Sequence, residues 1–441
     1  MIPASTSQAW NRSEREFGLM EWPAKFLLLP IQLLISSPCF LFLVALTAML
    51  LRHPDVRFYE IDRLAFALLV AGVGIRAIVL REGLFVFEAA SRPMLAILVL
   101  MLASIARQSF DHETWSLLAS KFIVPFAMFH IAARIFTDES RLRSFEFYSV
   151  AVLGYLCFMA IAFYLGLNWL IFPRFILDAS IGAHVDRARG PLLQAVANGV
   201  SINVLALLAL QSYRRAQRGR VWTAVLLLCV PVAILATMTR AVWLSFVSTL
   251  VVLPFVLRRT RSYRLDVALG LVAIAAIALN LSCAREGGLG DRLTENGPVE
   301  FRQAVYAGAW EMFLQRPILG WGFHRMPEEL PRHVVGYPRN TVLYPHNTYL
   351  ELLAENGIVG FALYLWLMSE LWKLSRVPVP AREKHGFLNR DLHRLWPIML
   401  VVYWFNAAAV VMSYQFVNAL VFTVAGMLAA QRRRGQLVAA C

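Results

Sequence analysis

Four arginines and one histidine carry most of the chemistry this sequence can offer. Arg240 stands in Ala-Thr-Met-Thr-Arg-Ala-Val-Trp-Leu, between two apolar runs. A charge within a membrane span costs about 2.5–3.5 kcal/mol on insertion scales, so such an arginine either snorkels to the surface or has a partner or ligand. The turn is short enough to predict a guanidinium held out of bulk water. Arg302 opens a helical pattern beside Gln303 and Tyr306, while Arg187 and Arg189 precede Gly190 and Pro191. Solvation is the competing reading for Arg302, and interface punctuation for Arg189. Guanidinium binds phosphate oxygens bidentately and stays charged, so several arginines on one membrane face suit a phosphate-bearing lipid. A diphosphate leaving group needs that stabilisation when its bond to a sugar breaks.

His346 lies in Tyr-Pro-His-Asn-Thr-Tyr-Leu-Glu-Leu-Leu-Ala-Glu-Asn-Gly. Asn347 or Thr348 can cap the helix that follows, and Thr348 with Glu351 fits a capping box. His346 then sits at a helix N-terminus, where a neutral imidazole is favoured and suited to act as a base. A structural loop histidine is the alternative. The run 347–373 makes a helix of about 40 Å against a hydrocarbon core of about 30 Å, so Glu351 and Glu355 project from lipid or line a cavity. Lys121, near the outer end of an apolar run, either snorkels or reaches the same cavity. Asp111-His112-Glu113 is the one cluster resembling metal ligands; without a D-x-D pattern it reads as a solvated loop, and no metal site or cofactor is expected.

The elements that must position these residues are apolar. The chain has 441 residues, 59% hydrophobic and 16% charged, with mean hydropathy +0.59. Soluble chains run about 45–50% apolar and about 25% charged, so the excess apolar surface must face lipid. Lys+Arg 42 against Asp+Glu 28 leaves a net charge of +14. In a membrane protein that excess reads first as the positive-inside bias, and nucleic acid is not expected as a partner. Cys39, Cys157, Cys229, Cys283 and Cys441 show neither paired nor C-x-x-C spacing, so no disulfide framework is indicated.

The expected fold is all-α: a polytopic integral membrane protein of about twelve transmembrane helices with one long extracytoplasmic loop containing short helices. The apolar runs are 26–51, 64–80, 93–106, 117–134, 149–171, 191–211, 221–239, 241–257, 265–283, 347–373, 395–412 and 416–430. Pro30 and Pro38 leave open whether the first is one span or two. The layout is a cytoplasmic tail 1–25, nine spans over 26–283, the loop 284–346, three spans over 347–430 and a tail 431–441. Residues 1–25 carry charges instead of the apolar core of a cleavable signal. Arg214, Arg215, Arg218 and Arg220, and Arg258, Arg259, Arg261 and Arg264, mark two loops as cytoplasmic, which puts both termini inside. Arg76, toward the inner end of its run, snorkels. Seven arginines of 284–346 fall outside and depart from that rule. Within that loop Phe301, Val305, Ala309 and Met312 recur at helical spacing, predicting a helix from Phe301 to Gln315 that ends before Pro317 and rests on the membrane or the bundle. Arg187, Arg189, Arg240, Arg302 and His346 then share the outer face.

In order and placement these segments resemble the O-antigen ligase and lipid-linked polysaccharide polymerase superfamily. Thr239-Arg240 is similar to its Ser/Thr-Arg motif between two spans, with Thr where Ser is commoner. Residues 301–322 resemble its loop-helix Arg followed by Pro-x-x-Gly-x-Gly. His346-Asn347, nine residues, Gly357, two residues and Gly360 resemble the ligase signature, with Phe361 and Ala362 where the ligases often continue with Thr. The resemblance implies a metal-independent, inverting glycosyltransferase of GT-C-like type in the bacterial inner membrane, acting at its periplasmic face on a glycan carried by undecaprenyl diphosphate. His346 would take the acceptor's proton, Arg240 and Arg302 would hold the diphosphate with Arg189 as a helper, and Asn347, Lys121, Tyr306 and Glu355 are further candidates. The acceptor is lipid A core for a ligase or a second lipid-linked glycan for a polymerase. A lipid-linked sugar transporter is the reading from another class; it would show internal repeats and helices broken near the midplane, and no repeat is found.

Overall fold

The computed structural model describes residues 37–53, 60–81, 83, 87–182, 185–215, 219–257, 268–272, 274–275, 297–334, 343–376, 379 and 385–440. Every regular element among them is helical. The long helices among the described residues are α1 (Pro38–Leu50), α2 (Glu60–Val79), α3 (Ser91–Ile105), α4 (His112–Ile135), α5 (Glu139–Tyr164), α6 (Ala195–Arg215), α7 (Arg220–Ala236), α8 (Arg240–Val256), α9 (Gly297–Gln315), α10 (Thr348–Lys373), α11 (Arg390–Ala407) and α12 (Gln415–Ala440). Four of them, α4, α5, α6 and α10, are long and apolar enough to cross a membrane, and α1, α3, α7 and α8 are shorter apolar helices. The expected span 265–283, the tail 1–25, Pro30 and the loop arginines 258–264 lie wholly or mostly outside the described residues.

Boundaries move where polar capping overrides hydropathy. The run 149–171 is a helix that starts ten residues earlier, because Asp138 accepts a hydrogen bond from Arg141 N and begins the coil there. It stops at Tyr164, and short 3-10 turns follow. The run 395–412 is helical only to Ala407, and 408–414 is an irregular turn. The proposed tail from 431 is the last part of α12.

α6 is the centre of the bundle, buried from Ala195 to Ser212. α5, α7, α8 and α11 pack on it, and α12 packs along α4. An apolar helix wholly surrounded by other helices satisfies its backbone internally and hides its side chains from lipid and water alike. At one end of the bundle polar side chains tie the helices together. Arg214 pairs with Asp391 at 3.0 Å, Arg215 with Glu139 at 2.7 Å and also with Glu146, and Gln211 donates to the Phe387 carbonyl at 2.9 Å. At the other end stand the turns that hold the candidate residues.

Candidate active site

The site is built on a break in α10. Gly357 has φ +61 and ψ −165 inside an otherwise helical run, a conformation essentially restricted to glycine. The break frees backbone groups, and the Pro317–Gly322 segment of the loop takes them. Ile358 N donates to Pro317 O at 2.8 Å and Val359 N to Ile318 O at 3.3 Å, while Trp321 N donates to Ala354 O at 3.0 Å and Gly322 N to Glu355 O at 2.8 Å. The approach is so close that a Cβ on Gly357 would lie 2.2 Å from Ile318 O, and one on Gly320, at φ +66, 2.3 Å from the Glu355 carbonyl carbon. The glycines of the two motifs therefore serve one interlock between loop and helix.

α9 lies over this interlock. Val305, Ala309 and Met312 are fully buried against Met326, Leu330, Leu343 and Ala354, so the periodic face predicted for 301–315 rests on the loop's own core and on α10. Trp321 Nε1 donates to Met312 O at 2.8 Å, and the Arg316 guanidinium stacks over the Trp321 ring at 4.0 Å. Phe323, just past the glycines, is fixed to α3: its N–H donates to Ser104 Oγ at 2.8 Å and its carbonyl accepts from Gln108 Nε2 at 3.1 Å.

Asn347 caps α10, accepting from Tyr349 N at 3.0 Å and Leu350 N at 3.2 Å. The expected Thr348–Glu351 capping box is absent, because both side chains have stronger demands elsewhere. The Thr348 hydroxyl donates to Val410 O at 2.9 Å and accepts from Met412 N at 3.0 Å, and Glu351 turns to Lys121. His346, immediately before the cap, is half-buried with φ +47. A residue with a side chain is uncommon in that left-handed region, and such positions gather at functional sites. Its ring lies 6.4 Å from that of Phe301 at the start of α9, next to Arg302.

The last turn of α11 and the irregular turn after it join three elements. Tyr306, one turn along α9 from Arg302, donates its hydroxyl to Ala408 O at 3.3 Å. Thr348 takes Val410 and Met412. Asn406 Nδ2 donates to Ser245 Oγ at 3.0 Å, fastening α8 five residues beyond Arg240. The N-terminal turns of α8, α9 and α10, which bear Arg240 and Arg302 and follow His346, are thus tied to residues 406–412. Arg240 and Arg302 are both exposed. Arg240, the first residue of α8, reaches the surface at this end of the bundle.

Residues 223–365 match the family model described as O-antigen ligase. The chain carries an O-antigen ligase domain. No curated protein matches the chain. The ligase domain takes in Arg240, Arg302, the Pro317–Gly322 segment, His346 and the Gly357 break, and its fold partners lie outside it: α3, α4, and the 406–412 turn.

Lys121 is one of those outside partners. It sits on a π-helical turn, Ala119–Ile123, within α4, a distortion frequent at functional sites. Its ammonium does not snorkel; it lies 2.6 Å from Glu351 Oε2, both side chains under a tenth exposed. Glu355, one turn further along α10 and 1% exposed, accepts from Met326 N at 3.3 Å and so braces the loop. A lysine inside an apolar run signals a buried partner, but the identity of that partner had no signal in sequence.

Arg189, expected as a diphosphate helper, is turned the other way. It is 1% exposed, donating from Nε to Ile176 O at 2.9 Å, from Nη1 to Ile181 O at 2.6 Å and from Nη2 to Asp178 O. Three carbonyls of the 172–190 loop occupy its fork, so it anchors that loop. Arg187 pairs with Asp186 at 3.7 Å. In Asp111-His112-Glu113 the aspartate caps α4, accepting from Thr114 Oγ1 at 2.6 Å and from the Thr114 and Glu113 amides; these bonds hold its carboxyl below the usual carboxylate range. His112 is 3.3 Å from an Arg63 nitrogen. Among the described residues no group of three His, Cys, Asp or Glu is gathered as for a metal.

Proposed function

We propose that this chain is a glycosyltransferase that moves a glycan from undecaprenyl diphosphate to an acceptor hydroxyl at the outer face of the bacterial inner membrane, with lipid A core as the acceptor. What carries the reading is the joining of the three motif elements: Arg240 begins α8, Arg302 lies in the second turn of α9 and His346 directly precedes the cap of α10, the three helices are tied to residues 406–412, and all three residues lie within the segment matched to the ligases. Twelve crossings with both termini cytoplasmic, as the loop charges suggest, put this end of the bundle in the periplasm.

The chemistry follows from those positions. The acceptor oxygen attacks the anomeric carbon as its proton passes to the His346 imidazole, placed ahead of a helix N-terminus that disfavours the charged ring. The bond from the anomeric carbon to the phosphate oxygen breaks, and the diphosphate leaves with the electron pair. Arg240 and Arg302, exposed on the same end, offer forked donors to that charge. A single displacement of this kind inverts the anomeric configuration and needs no metal. An apolar groove of about 520 Å³ runs between α8 and α11 from Ser245 and Phe405 to Val256; starting just below Arg240, it suits the polyprenyl chain of the donor. A wider groove of about 1290 Å³ between α1, α2 and α5 shares no residue with the motif elements, so its size alone assigns it no chemistry.

The test is transfer by purified protein from undecaprenyl-diphosphate glycan to an acceptor with EDTA present. The native protein is expected to transfer, and His346→Ala and Arg240→Ala to lose roughly 10²-fold or more in kcat, as removal of one preorganised group does elsewhere. No transfer by the native protein, or equal transfer by His346→Ala, defeats the reading. A polymerase of the same superfamily is the second reading, since the motifs are shared. A deletion strain with bare lipid A core supports the ligase, and core bearing one repeat unit supports the polymerase. Lipid-linked sugar crossing proteoliposomes undiminished in His346→Ala would favour a transporter.

A further inference from the structure

Lys121 and Glu351 form an ion pair with no role in the proposed transfer, built at some cost. Both are nearly fully buried, on different helices 230 positions apart in sequence, and the lysine is presented by a π-helical turn. Taking two charges out of water is expensive, and an apolar pair of similar volume is often as stable. The pair also stands close to the proposed base. Glu351 is five residues past His346: two non-helical steps to Thr348 and then one helical turn, at most roughly 11 Å between their Cα atoms. Its charge reaches the segment carrying His346: burial pushes the Tyr344 phenol above its usual range, and the charges of Glu113 and Glu351 add to the shift.

We infer that Lys121 compensates Glu351 so that the carboxylate does not draw a proton onto His346, leaving the imidazole able to accept one from the acceptor hydroxyl. Lys121 is then a positioning residue of an electrostatic kind, acting through Glu351. Other charges face the same end. Glu355 lies beneath on α10, and Glu113 on α4 is 3.8 Å from His324 Nε2. On α9, Glu300 and Arg302 flank Phe301, and Arg240 begins α8. The 406–412 turn contributes no titratable group. Among these charges Lys121 and Glu351 form the buried ion pair, 2.6 Å apart, and Glu355 interacts with both, so the two members are neutralised singly and together with Glu355 left in place.

This rests on His346 being the base of the proposed transfer, and the signs of the effects test it. A base must be unprotonated, so the rate falls on the acid side of its titration. Lys121→Met leaves Glu351 uncompensated, favours the charged imidazole, and moves that acid limb to higher pH by roughly one unit, the size expected of one charge about 8–10 Å away at an effective dielectric near 20. Glu351→Gln leaves the ammonium uncompensated and moves the limb to lower pH. The double variant returns it close to the native position, and Lys121→Arg does not move it. Damage to folding alone cannot give opposite signs. The same four variants are read without turnover by the pH dependence of His346 carbethoxylation with diethyl pyrocarbonate, followed on its peptide by mass spectrometry. If Lys121→Met does not fold, Glu351→Gln and the double variant decide. Single variants that leave both profiles unmoved, or move them in one direction, overturn the inference. Transfer that survives His346→Ala instead overturns the assignment of the base, while the carbethoxylation profiles still report whether the pair acts on the imidazole.

Discussion

Replacing Gly357 with alanine should uncouple the loop from α10. Its φ of +61 with ψ −165 is strained for any residue with a Cβ, at a cost of order 1–3 kcal/mol. The added methyl also meets backbone: Ile318 O at 2.2 Å, Ile318 C at 2.3 Å and Leu319 N at 2.7 Å. No rotamer change relieves such contacts, so the Pro317–Gly322 segment must retreat. Retreat loses the bonds from Ile358 N and Val359 N to Pro317 O and Ile318 O, each worth about 1 kcal/mol net. Together these give roughly 3–5 kcal/mol against the docked loop. Gly74 on α2 is the control, since a methyl added there meets nothing within 4 Å and the backbone has no left-handed φ; alanine there should be neutral or stabilising by up to about 1 kcal/mol, the difference in helix propensity. Equilibrium unfolding of purified protein in detergent, followed by tryptophan fluorescence because Trp321 lies on the docked segment, gives the stability. Limited proteolysis near residue 320 reports the docking directly. A Gly357→Ala protein within about 0.5 kcal/mol of the native one, with an unchanged cleavage pattern, would refute the interlock.

Other changes separate the remaining contacts. Thr348→Val keeps the shape but leaves Val410 O and Met412 N without their shared partner; a loss of about 1–3 kcal/mol is expected in the same unfolding measurement. Arg189→Met removes three carbonyl contacts from the 172–190 loop, and faster protease cleavage there with the donor KM unchanged would fit a loop anchor; a raised KM would return Arg189 to the diphosphate site. The Asp111 carboxyl is held below its ordinary value by its bonds to Thr114 and Glu113, so it stabilises the fold above the unfolded-state value near pH 3.9, and that stabilisation is lost as pH falls through the lower folded value. The native protein should therefore exceed Asp111→Asn in stability at neutral pH and lose the margin in acid, as read by unfolding across pH 2.5–7.

Much of the site is legible in the sequence because it depends on local rules. The helix 301–315 follows from apolar spacing and from Pro317, and the structure extends it only back to Gly297. Asn347 is a cap candidate from its residue type alone. The same local evidence misleads for Thr348, whose hydroxyl serves Val410 and Met412, more than 60 residues away. The short turn at Arg240 is legible as a helix start, but the exposure of its side chain at the end of the bundle depends on how α8 is packed. The junction 406–412, the end of α11 and the turn that follows, is hidden inside an apolar run, with Asn406 its one polar sign.

A helical, lipid-facing chain can be read from the residues alone, because apolar length and loop charge act through the solvent and need no knowledge of neighbours. The order of the motifs can be read in the same way, and resemblance makes use of it. What each motif residue touches is settled only once the helices are packed. The partners of Arg189, Tyr306, Thr348 and the two motif glycines are main-chain groups, and main-chain groups are the same in every residue. Position in the fold, not residue type, selects among them, so Arg189 became a loop anchor and Lys121 the buried partner of Glu351.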